Sequence, residues 1–342
     1  METPPVLSPA DLRAAADAYR TTHPKARART VAEGLGVSEA DLLAVGDCTV
    51  RLRPDFAELL AALEPLGPLM ALTRNDACVH ERHGVYSGFQ QQGPHTLFVG
   101  KDIDLRIFLS GWAFAFATEE NGRHSLQFFG PDGAAVHKVY AVDGTDMDAW
   151  SALVERFRAD DASGPLALSP ARPAPAETPE AALDLAGFYD AWRAISDTHD
   201  FFPLLRRFGV SRRQAVRHAP ADLARPVSAK AARQVLEGAS ATGQPIMVFV
   251  GNSGCIQIHT GPAEKIVEHG PWINVLDPAF NLHLDETQIA EAYVVVKPGD
   301  TGDVTALEVF DAAGEMIVQF FGARKPGQPE RDDWRALAAT LA

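Results

Sequence analysis

Two spacings of apolar residues alternate along the chain and predict both helices and strands. Phe188, Trp192 and Ile195 fall at i, i+4 and i+7, which places their side chains on one face of a helix. Short apolar runs between turn residues predict strands, and Gly130-Pro131-Asp132-Gly133 is the clearest turn. The predicted strands cover residues 97–100, 105–109, 113–117 and 125–129, followed by 246–250, 292–297, 306–310 and 316–321.

The second group of predicted elements repeats the first in the same order. Each group begins with a helix, continues through a helix-turn-helix pattern around Gly-Val-Ser, and ends with a helix that carries Trp150 or Trp334. A repeat of this length indicates a duplicated domain rather than a solenoid. Helices that bracket an antiparallel sheet, in two tandem homologous halves, predict the α+β class. Matching positions include Asp17-Ala18-Tyr19-Arg20 with Asp190-Ala191-Trp192-Arg193, Met70 with Met247, Asn75 with Asn252, and Cys78 with Cys255.

A proline-rich stretch separates the two copies. Residues 162–180 contain five prolines and no aromatic residue, a composition that is typical of an extended linker. We therefore predict an N-terminal repeat over residues 1–161, a linker over 162–180, and a C-terminal repeat over 181–342 that carries the main candidate ligand, His199.

Composition and charge narrow the range of partners. The 342 residues carry a formal net charge of −14, and a field of that sign repels nucleic acids and anionic membranes. No apolar run approaches the ~20 residues of a membrane-spanning helix, and the first residues lack the pattern of a secretory signal. Cys48, Cys78 and Cys255 are odd in number and far apart, which is not typical of a disulfide framework, and no pair has C-x-x-C spacing. These features predict a cytoplasmic protein without a membrane span.

Arginines and histidines supply the candidate chemistry. Residues 206–217 contain five arginines within a helix-turn-helix pattern, so a DNA-binding regulator using Arg206–Arg217 is one hypothesis, against which the net charge argues. The same arginines could instead bind an anionic small ligand. His199 lies just before two phenylalanines and these arginines, and an iron porphyrin needs such a nitrogen ligand, apolar slot and cations for its propionates. His80 and His83 have a loose metal-pair spacing, but no carboxylate-rich motif accompanies them.

Five stretches together carry a resemblance to one bacterial family. They are Leu72-Thr73-Arg74-Asn75 through Gly84-Val85-Tyr86, Asp104-Leu105-Arg106-Ile107-Phe108, Thr198-His199-Asp200-Phe201-Phe202, Leu307-Glu308-Val309-Phe310-Asp311 and residues 320–327. Over essentially its whole length, including the duplication, the chain resembles the cytoplasmic hemin-degrading factor, or hemin transport protein, family of bacterial haem uptake (HmuS/HemS type).

The resemblance implies one haem b, held without covalent attachment in a cleft between the two halves. His199 matches the proximal iron ligand, and Arg106 from the first half matches the distal arginine, so these two are the expected catalytic residues. Because the repeat places His23 at the position of His199 and His283 near that of Arg106, one main haem site is expected, with His83 as a candidate for weak secondary binding. The positions that match haem-lining or propionate-binding residues are Arg212, Phe249, Lys297, Gln319, Phe321 and Arg324.

Two functions are compatible with this site, and the sequence does not separate them. A carrier would accept haem from an inner-membrane importer and pass it to a downstream acceptor. An enzyme would use oxygen or peroxide to open the macrocycle and release iron, with Arg106 donating hydrogen bonds on the distal side. In both cases we expect a haem-binding protein of iron acquisition.

Overall fold

The computed structural model describes residues 7–93, 95–160, 164–171, 177–325 and 327–342. The described chain forms two compact units. The first unit draws its residues from Met1–Thr73, His83–Arg172 and Asn252–Cys255, and the second from Arg74–Arg82, Pro173–Gly251 and Ile256–Ala342. Each unit therefore includes one short segment from the other half of the sequence. We call these the exchanged segments: residues 252–255 in the first unit and residues 74–82 in the second.

Helices open and close the first unit, and most of its strands lie between them. The helices are α1 (Pro9–Thr22), α2 (Ala28–Leu35), α3 (Glu39–Ala44), α4 (Phe56–Ala61) and α5 (Met147–Phe157). The strands are β1 (Thr49–Leu52), β2 (Pro68–Arg74), β4 (Phe89–Gln92), β5 (His95–Val99), β6 (Asp104–Phe108), β7 (Phe114–Glu120), β8 (Arg123–Phe129) and β9 (Ala135–Ala141). The strand β3 (Cys78–Val85) begins in the second unit and ends in the first.

An antiparallel sheet with helices packed on both faces forms the centre of the first unit. Its strands follow the order β1-β7-β8-β9-β2, and β4, β5 and β6 pair in a second antiparallel set. Side chains alternate across each strand. Ala115 on β7 therefore points into a core with Trp150 of α5, whereas Phe114 and Phe116 pack with Leu43 of α3.

The second unit contains the same elements in the same order. Its helices are α6 (Leu185–Arg193), α7 (Phe201–Phe208), α8 (Arg212–Arg217), α9 (Ala231–Thr242) and α10 (Asp332–Thr340). Its strands are β10 (Ala224–Val227), β11 (Ile246–Gly251), β12 (Cys255–Gly261), β13 (Ile266–His269), β14 (Trp272–Leu276), β15 (Phe280–Asp285), β16 (Glu291–Lys297), β17 (Val304–Phe310) and β18 (Met316–Gly322). The first residue of β12 belongs to the first unit.

The sheet of the second unit is also covered on both faces. The strand order is β10-β16-β17-β18-β11-β12, and β13, β14 and β15 continue into residues 78–82 of β3. One face, which includes Phe320, packs with Trp334 of α10. The other face, which includes Phe310, packs with the aromatic side chains of α6 and α7. The predicted duplicated α+β fold is therefore confirmed.

The recurring asparagines have the same structural role in both units. The Asn75 Oδ1 accepts hydrogen bonds from the backbone N–H groups of Ala77 and Cys78, and its Nδ2 donates to the Gly251 and Ile317 carbonyls. Asn252 similarly accepts from two N–H groups in the following turn and donates to a carbonyl of β9. Each asparagine thus shapes the turn of an exchanged segment and bonds it to the sheet of the unit that it joins.

The repeated Gly-Val-Ser marks the boundary between two helices in each unit. Gly36 and Gly209 end α2 and α7 with φ of 68° and 65°, a left-handed conformation that glycine adopts without steric cost. Ser38 and Ser211, two residues later, accept a hydrogen bond from the third N–H group of α3 and α8. The repeated Gly-Val-Ser is therefore explained by its place between two helices: the glycine ends the first helix and the serine caps the second.

The remaining expectations concern the chain termini, the linker and the membrane. Within the described ranges, no helix is both long and apolar enough to cross a membrane. The three cysteines are free thiols, with Cys78 and Cys255 buried. The first six residues, and residues 162, 163 and 172–176 of the predicted linker, lie outside the described part of the chain. The predicted boundaries at 161 and 181 stay a prediction.

Candidate functional site

Predicted binding residues project from one face of the sheet in the second unit. Gln319 on β18 lies opposite Phe249 on one neighbouring strand and opposite Glu308 on the other. Phe321 follows two residues later on the same strand, so its side chain points to the same face. The Phe249 and Phe321 ring centroids are 4.9 Å apart, and both residues are partly accessible to solvent. The structure therefore brings these predicted residues together as an apolar surface beside a polar group.

A buried carboxylate organises that polar group. The Glu308 Oε1 accepts hydrogen bonds from the Lys297 Nζ at 2.6 Å, the Arg212 Nη2 at 2.7 Å and the Gln319 Nε2 at 3.2 Å. Its Oε2 accepts from the Arg212 Nε at 2.9 Å, which makes the arginine contact bidentate. Two cations and one carboxylate give this cluster, Arg212–Lys297–Glu308, a net charge of +1.

Burial and mutual attraction set the ionisation of the cluster. Burial alone would raise the pKa of Glu308, but the charges of Arg212 and Lys297 lower it well below its usual range. Burial lowers the pKa of Lys297 to about 8, against the attraction of Glu308. The carboxylate is therefore ionised at neutral pH, and Lys297 stays mostly protonated. The side chain of Lys297 is only 6% exposed.

Phe201 connects this cluster to the candidate iron ligand. The Lys297 Nζ lies 4.7 Å and the Arg212 Cζ 5.6 Å from the centroid of the Phe201 ring, distances at which cation–π attraction operates. The ring is 2% exposed and also packs on Trp192, with centroids 4.6 Å apart. Phe201 is the first residue of α7 and follows His199 by two positions.

His199 lies in a short 3-10 helix, Thr198–Asp200, with its side chain 91% exposed. The Asp197 Oδ1 accepts the backbone N–H of His199 at 2.8 Å and lies 2.7 Å from its Nδ1. These hydrogen bonds and the charge of Arg324 lower the pKa of Asp197. A carboxylate beside Nδ1 favours the tautomer with its proton there, which leaves the Nε2 lone pair available for a metal.

Arg106 belongs to the first unit, on β6. Its guanidinium forms an ion pair with Asp104 and donates a hydrogen bond to the Leu105 carbonyl at 3.2 Å. Burial raises the pKa of Asp104 although the charge of Arg106 opposes that rise. Arg106 is therefore a partly accessible cation held by the carboxylate two residues earlier on its strand.

The other candidate histidines have different surroundings from His199. His23 stacks on Tyr19 with centroids 4.4 Å apart, and its Nδ1 lies 2.9 Å from the Thr22 hydroxyl rather than beside a carboxylate. The His283 Nδ1 bonds the Asn274 amide oxygen at 2.7 Å. His80 is buried in β3, and the structure describes no group of three or more histidine, cysteine or acidic side chains placed to hold a metal ion.

Glu308 is not among the site residues that the sequence predicts. It stands in Leu307-Glu308-Val309-Phe310, where an acidic residue interrupts an apolar strand. An acidic residue is almost never fully buried unless it is paired, so this interruption was a usable signal. The partners could not be found in the same way, because Arg212 and Lys297 come from other elements.

The comparisons with known proteins agree with one another. The sequence model of the family "Haemin-degrading HemS.ChuX domain" matches residues 36–157 and 209–341. The chain is 43% identical over 336 residues to the hemin transport protein HmuS of Yersinia pestis and 44% identical over 330 residues to HemS of Yersinia enterocolitica, with 94% of each chain covered in both comparisons.

Solved structures match over nearly the whole chain. Holo-PhuS, a heme-binding protein from Pseudomonas aeruginosa, superimposes with a TM-score of 0.96 at 48% identity, covering 98% of this chain and 99% of PhuS. ChuS, described as an E. coli heme oxygenase, gives a TM-score of 0.86 at 41% identity, covering 94% of this chain and 98% of ChuS. The chain therefore belongs to the haemin-degrading HemS/ChuX domain family, one domain of which matches each repeat.

Proposed function

We propose that this protein binds one haem b non-covalently, with His199 as the proximal iron ligand. The observation that carries the proposal is the exposed imidazole of His199, whose Nδ1 is held by Asp197. Histidines that ligate metals usually donate the second ring N–H to such a carboxylate, which raises their basicity. The similarity to holo-PhuS supports the same ligand class.

The surrounding residues fit an amphipathic iron porphyrin. Phe249 and Phe321 would supply apolar surface for the macrocycle, and Arg324 would supply positive charge near His199 for a propionate. The Arg212–Lys297–Glu308 cluster adds a net positive charge in a chain of net charge −14. Haem b, His199 and these lining residues together form the proposed site.

The proposed role is in haem and iron acquisition in the cytoplasm. The protein would receive haem from an inner-membrane importer, then degrade it or pass it to an acceptor. When bound, haem supplies the oxygen chemistry; Arg106 would donate hydrogen bonds on the distal side, and Asp104 would hold its guanidinium in place. The similarity to ChuS, described as a heme oxygenase, favours degradation, whereas the names of the Yersinia relatives favour transport.

A hemin titration of the purified protein tests the binding proposal. We expect a saturable one-to-one shift of the Soret band, and hemin that stays aggregated or binds without saturation would overturn the proposal. The saturated complex is then given ascorbate in air, with catalase present to remove free peroxide. Loss of the Soret band together with iron captured by a ferrous chelator would indicate degradation, and a stable spectrum would leave the carrier role.

A further inference from the structure

We propose that Glu308 is a positioning residue. By holding Arg212 and Lys297 against Phe201, it fixes the turn at residues 197–200, here called the His199 turn, and so orients His199. This proposal rests on the proposed function, because it concerns the proximal ligand of that site. It differs from the role that the resemblance implies for Lys297 and Arg212, which is direct contact with haem.

The cluster around Glu308 is buried. The Glu308 side chain is fully buried and that of Lys297 is 6% exposed, so the Lys297–Glu308 ion pair lies beneath the surface of the unit. Arg212 reaches the same carboxylate through two hydrogen bonds, with its side chain 31% exposed. Both oxygens of the Glu308 carboxylate are therefore already engaged by the cations of this cluster.

Both cations of the cluster contact Phe201. The Lys297 ammonium and the Arg212 guanidinium both lie within 6 Å of the Phe201 ring centroid. Each cation is also held by Glu308, so neither is free to move away from the ring. Glu308 thereby fixes two cations against one aromatic side chain.

Phe201 is also connected to His199 through the backbone. Phe201 begins α7 immediately after the 3-10 helix Thr198–Asp200, and Asp197 binds the imidazole within that same turn. Because the imidazole is fixed relative to its turn, the direction of Nε2 depends on how the turn is held. The buried ring of Phe201, at the start of α7, packs in one cluster with side chains of the sheet and so joins this turn to it.

Two substitutions interrupt this connection at different points. Glu308→Gln removes the charge that holds the cations, and Phe201→Leu keeps an apolar side chain but removes the aromatic face. In both variants without haem, we expect amide hydrogen exchange over residues 197–202 to accelerate by about tenfold, the loss of one desolvated cation–π contact. In the ferrous haem complex, we expect the iron–histidine stretching band in resonance Raman spectra to shift or broaden.

Matched controls separate this effect from general destabilisation. Glu39→Gln breaks the buried ion pair with Lys138 in the first unit, and it should leave both measurements unchanged for the His199 turn. If Glu308→Gln does not fold, the double variant Lys297→Met with Glu308→Gln removes both opposite charges together. In that double variant, amide hydrogen exchange over residues 197–202 should accelerate as in Glu308→Gln, because Phe201 loses its contact with the Lys297 ammonium.

The outcomes distinguish the inference from the proposed function. If the wild-type protein does not bind hemin, the proposed function fails, while the exchange data still show whether Glu308 anchors the turn. If hemin binds but exchange and the iron–histidine band are unchanged in the Glu308 and Phe201 variants, the inference is overturned. It is also overturned if Glu308→Gln only abolishes the preference for hemin over its dimethyl ester, because the cluster would then act on the propionates.

Discussion

In both units, the first residue of one helix forms a buried ion pair with the sheet, but the two pairs have opposite polarity and their sheet partners lie on different strands. In the first unit the first residue of α3, Glu39, meets Lys138 of the sheet at 2.9 Å. In the second unit the first residue of α8, Arg212, meets Glu308 of the sheet. Both units therefore have a charged residue at the start of this helix, whereas its sign and the strand that carries its partner differ.

The inversion gives the two units different chemical properties. The pair in the first unit balances to zero, and both side chains are about one-tenth exposed. The second unit adds Lys297, so the cluster keeps one positive charge and extends it to Phe201. The pair of the first unit therefore carries no net charge, while the cluster of the second unit presents one positive charge to the Phe201 ring, two residues after the candidate ligand.

The largest expected effect is a loss of stability in the first unit. Lys138→Met leaves Glu39 buried without Lys138, and breaking such a pair from one side costs about 3–5 kcal/mol. Unfolding in urea, followed by circular dichroism, measures the free energy of unfolding. Glu39→Gln combined with Lys138→Met should recover most of the loss, and hemin binding by the double variant should match wild type. A single variant within about 1 kcal/mol of wild type would make the pair no better than a surface ion pair.

The second prediction compares the two histidines related by the repeat. His199→Ala should weaken hemin binding by roughly 100-fold or more, because removing a ligand costs at least as much as removing its supporting carboxylate. His23→Ala, the matched substitution in the first unit, should leave affinity and the Soret band unchanged. Equal effects of the two substitutions in hemin titrations would contradict the asymmetry.

A buried histidine in the first unit, His137, has no histidine at the equivalent position of the second unit. His137 bonds the Thr73 and Tyr86 hydroxyls, each at 2.8 Å, and the equivalent position in the second unit is Val318. Burial lowers the pKa of His137 to about 3. The unfolded chain therefore takes up a proton near pH 6.5 and the folded chain does not, so stability is lost as the pH falls from about 6.5 towards 3.

This linkage is measured by urea unfolding at pH 7.5 and pH 5.0. Over this interval the wild-type free energy of unfolding should fall by ~2 kcal/mol more than that of His137→Val, at ~1.4 kcal/mol per pH unit below 6.5. At pH 7.5 the variant should be less stable, because the Thr73 and Tyr86 hydroxyls lose their partner. An equal pH dependence in both proteins would mean that His137 is protonated in the fold.

The smallest expected effect sharpens the role of Asp197. Asp197→Asn keeps a hydrogen-bond acceptor for the His199 turn but removes the negative charge beside Nδ1. We expect hemin affinity to fall by about tenfold, the lower end of the range for outer-shell partners of metal ligands. Asp190→Asn, on the preceding helix, is the matched surface control. An unchanged affinity would show that the carboxylate does not tune the imidazole.

The duplicated fold could be predicted from the sequence, but the exchange of segments could not. The period of the apolar positions and the recurring Gly-Val-Ser are local signals, and the strands at 246–250 and 316–321 lie within β11 and β18. Strands rich in polar residues, such as β3 and β4, were left out because their alternation is weak. The asparagine repeat is visible in the sequence, yet nothing local indicates that each asparagine bonds to a sheet built mainly from the other half of the sequence.

Residue context points to His199 and the arginine cluster, and the resemblance extends the candidate site to further residues. It identified His199, Arg106 and the lining residues, whose roles stay predictions. Asp197 and Glu308 were absent because their importance depends on what surrounds them: Asp197 through a turn, and Glu308 through partners on three other elements. Such compensation of a buried charge is a property of the packed structure rather than of any one segment.

The exchanged segment 252–255 also bears on how the chain folds during its synthesis. N-terminal domains generally fold first, as the ribosome releases them. The first unit, however, includes Asn252–Cys255, which are translated after the whole predicted linker and much of the second unit. A nascent chain stalled before Asn252 should therefore lack the turn that Asn252 forms on β9. The unit whose strands are mostly made first is thus completed only when a segment that is made late joins it.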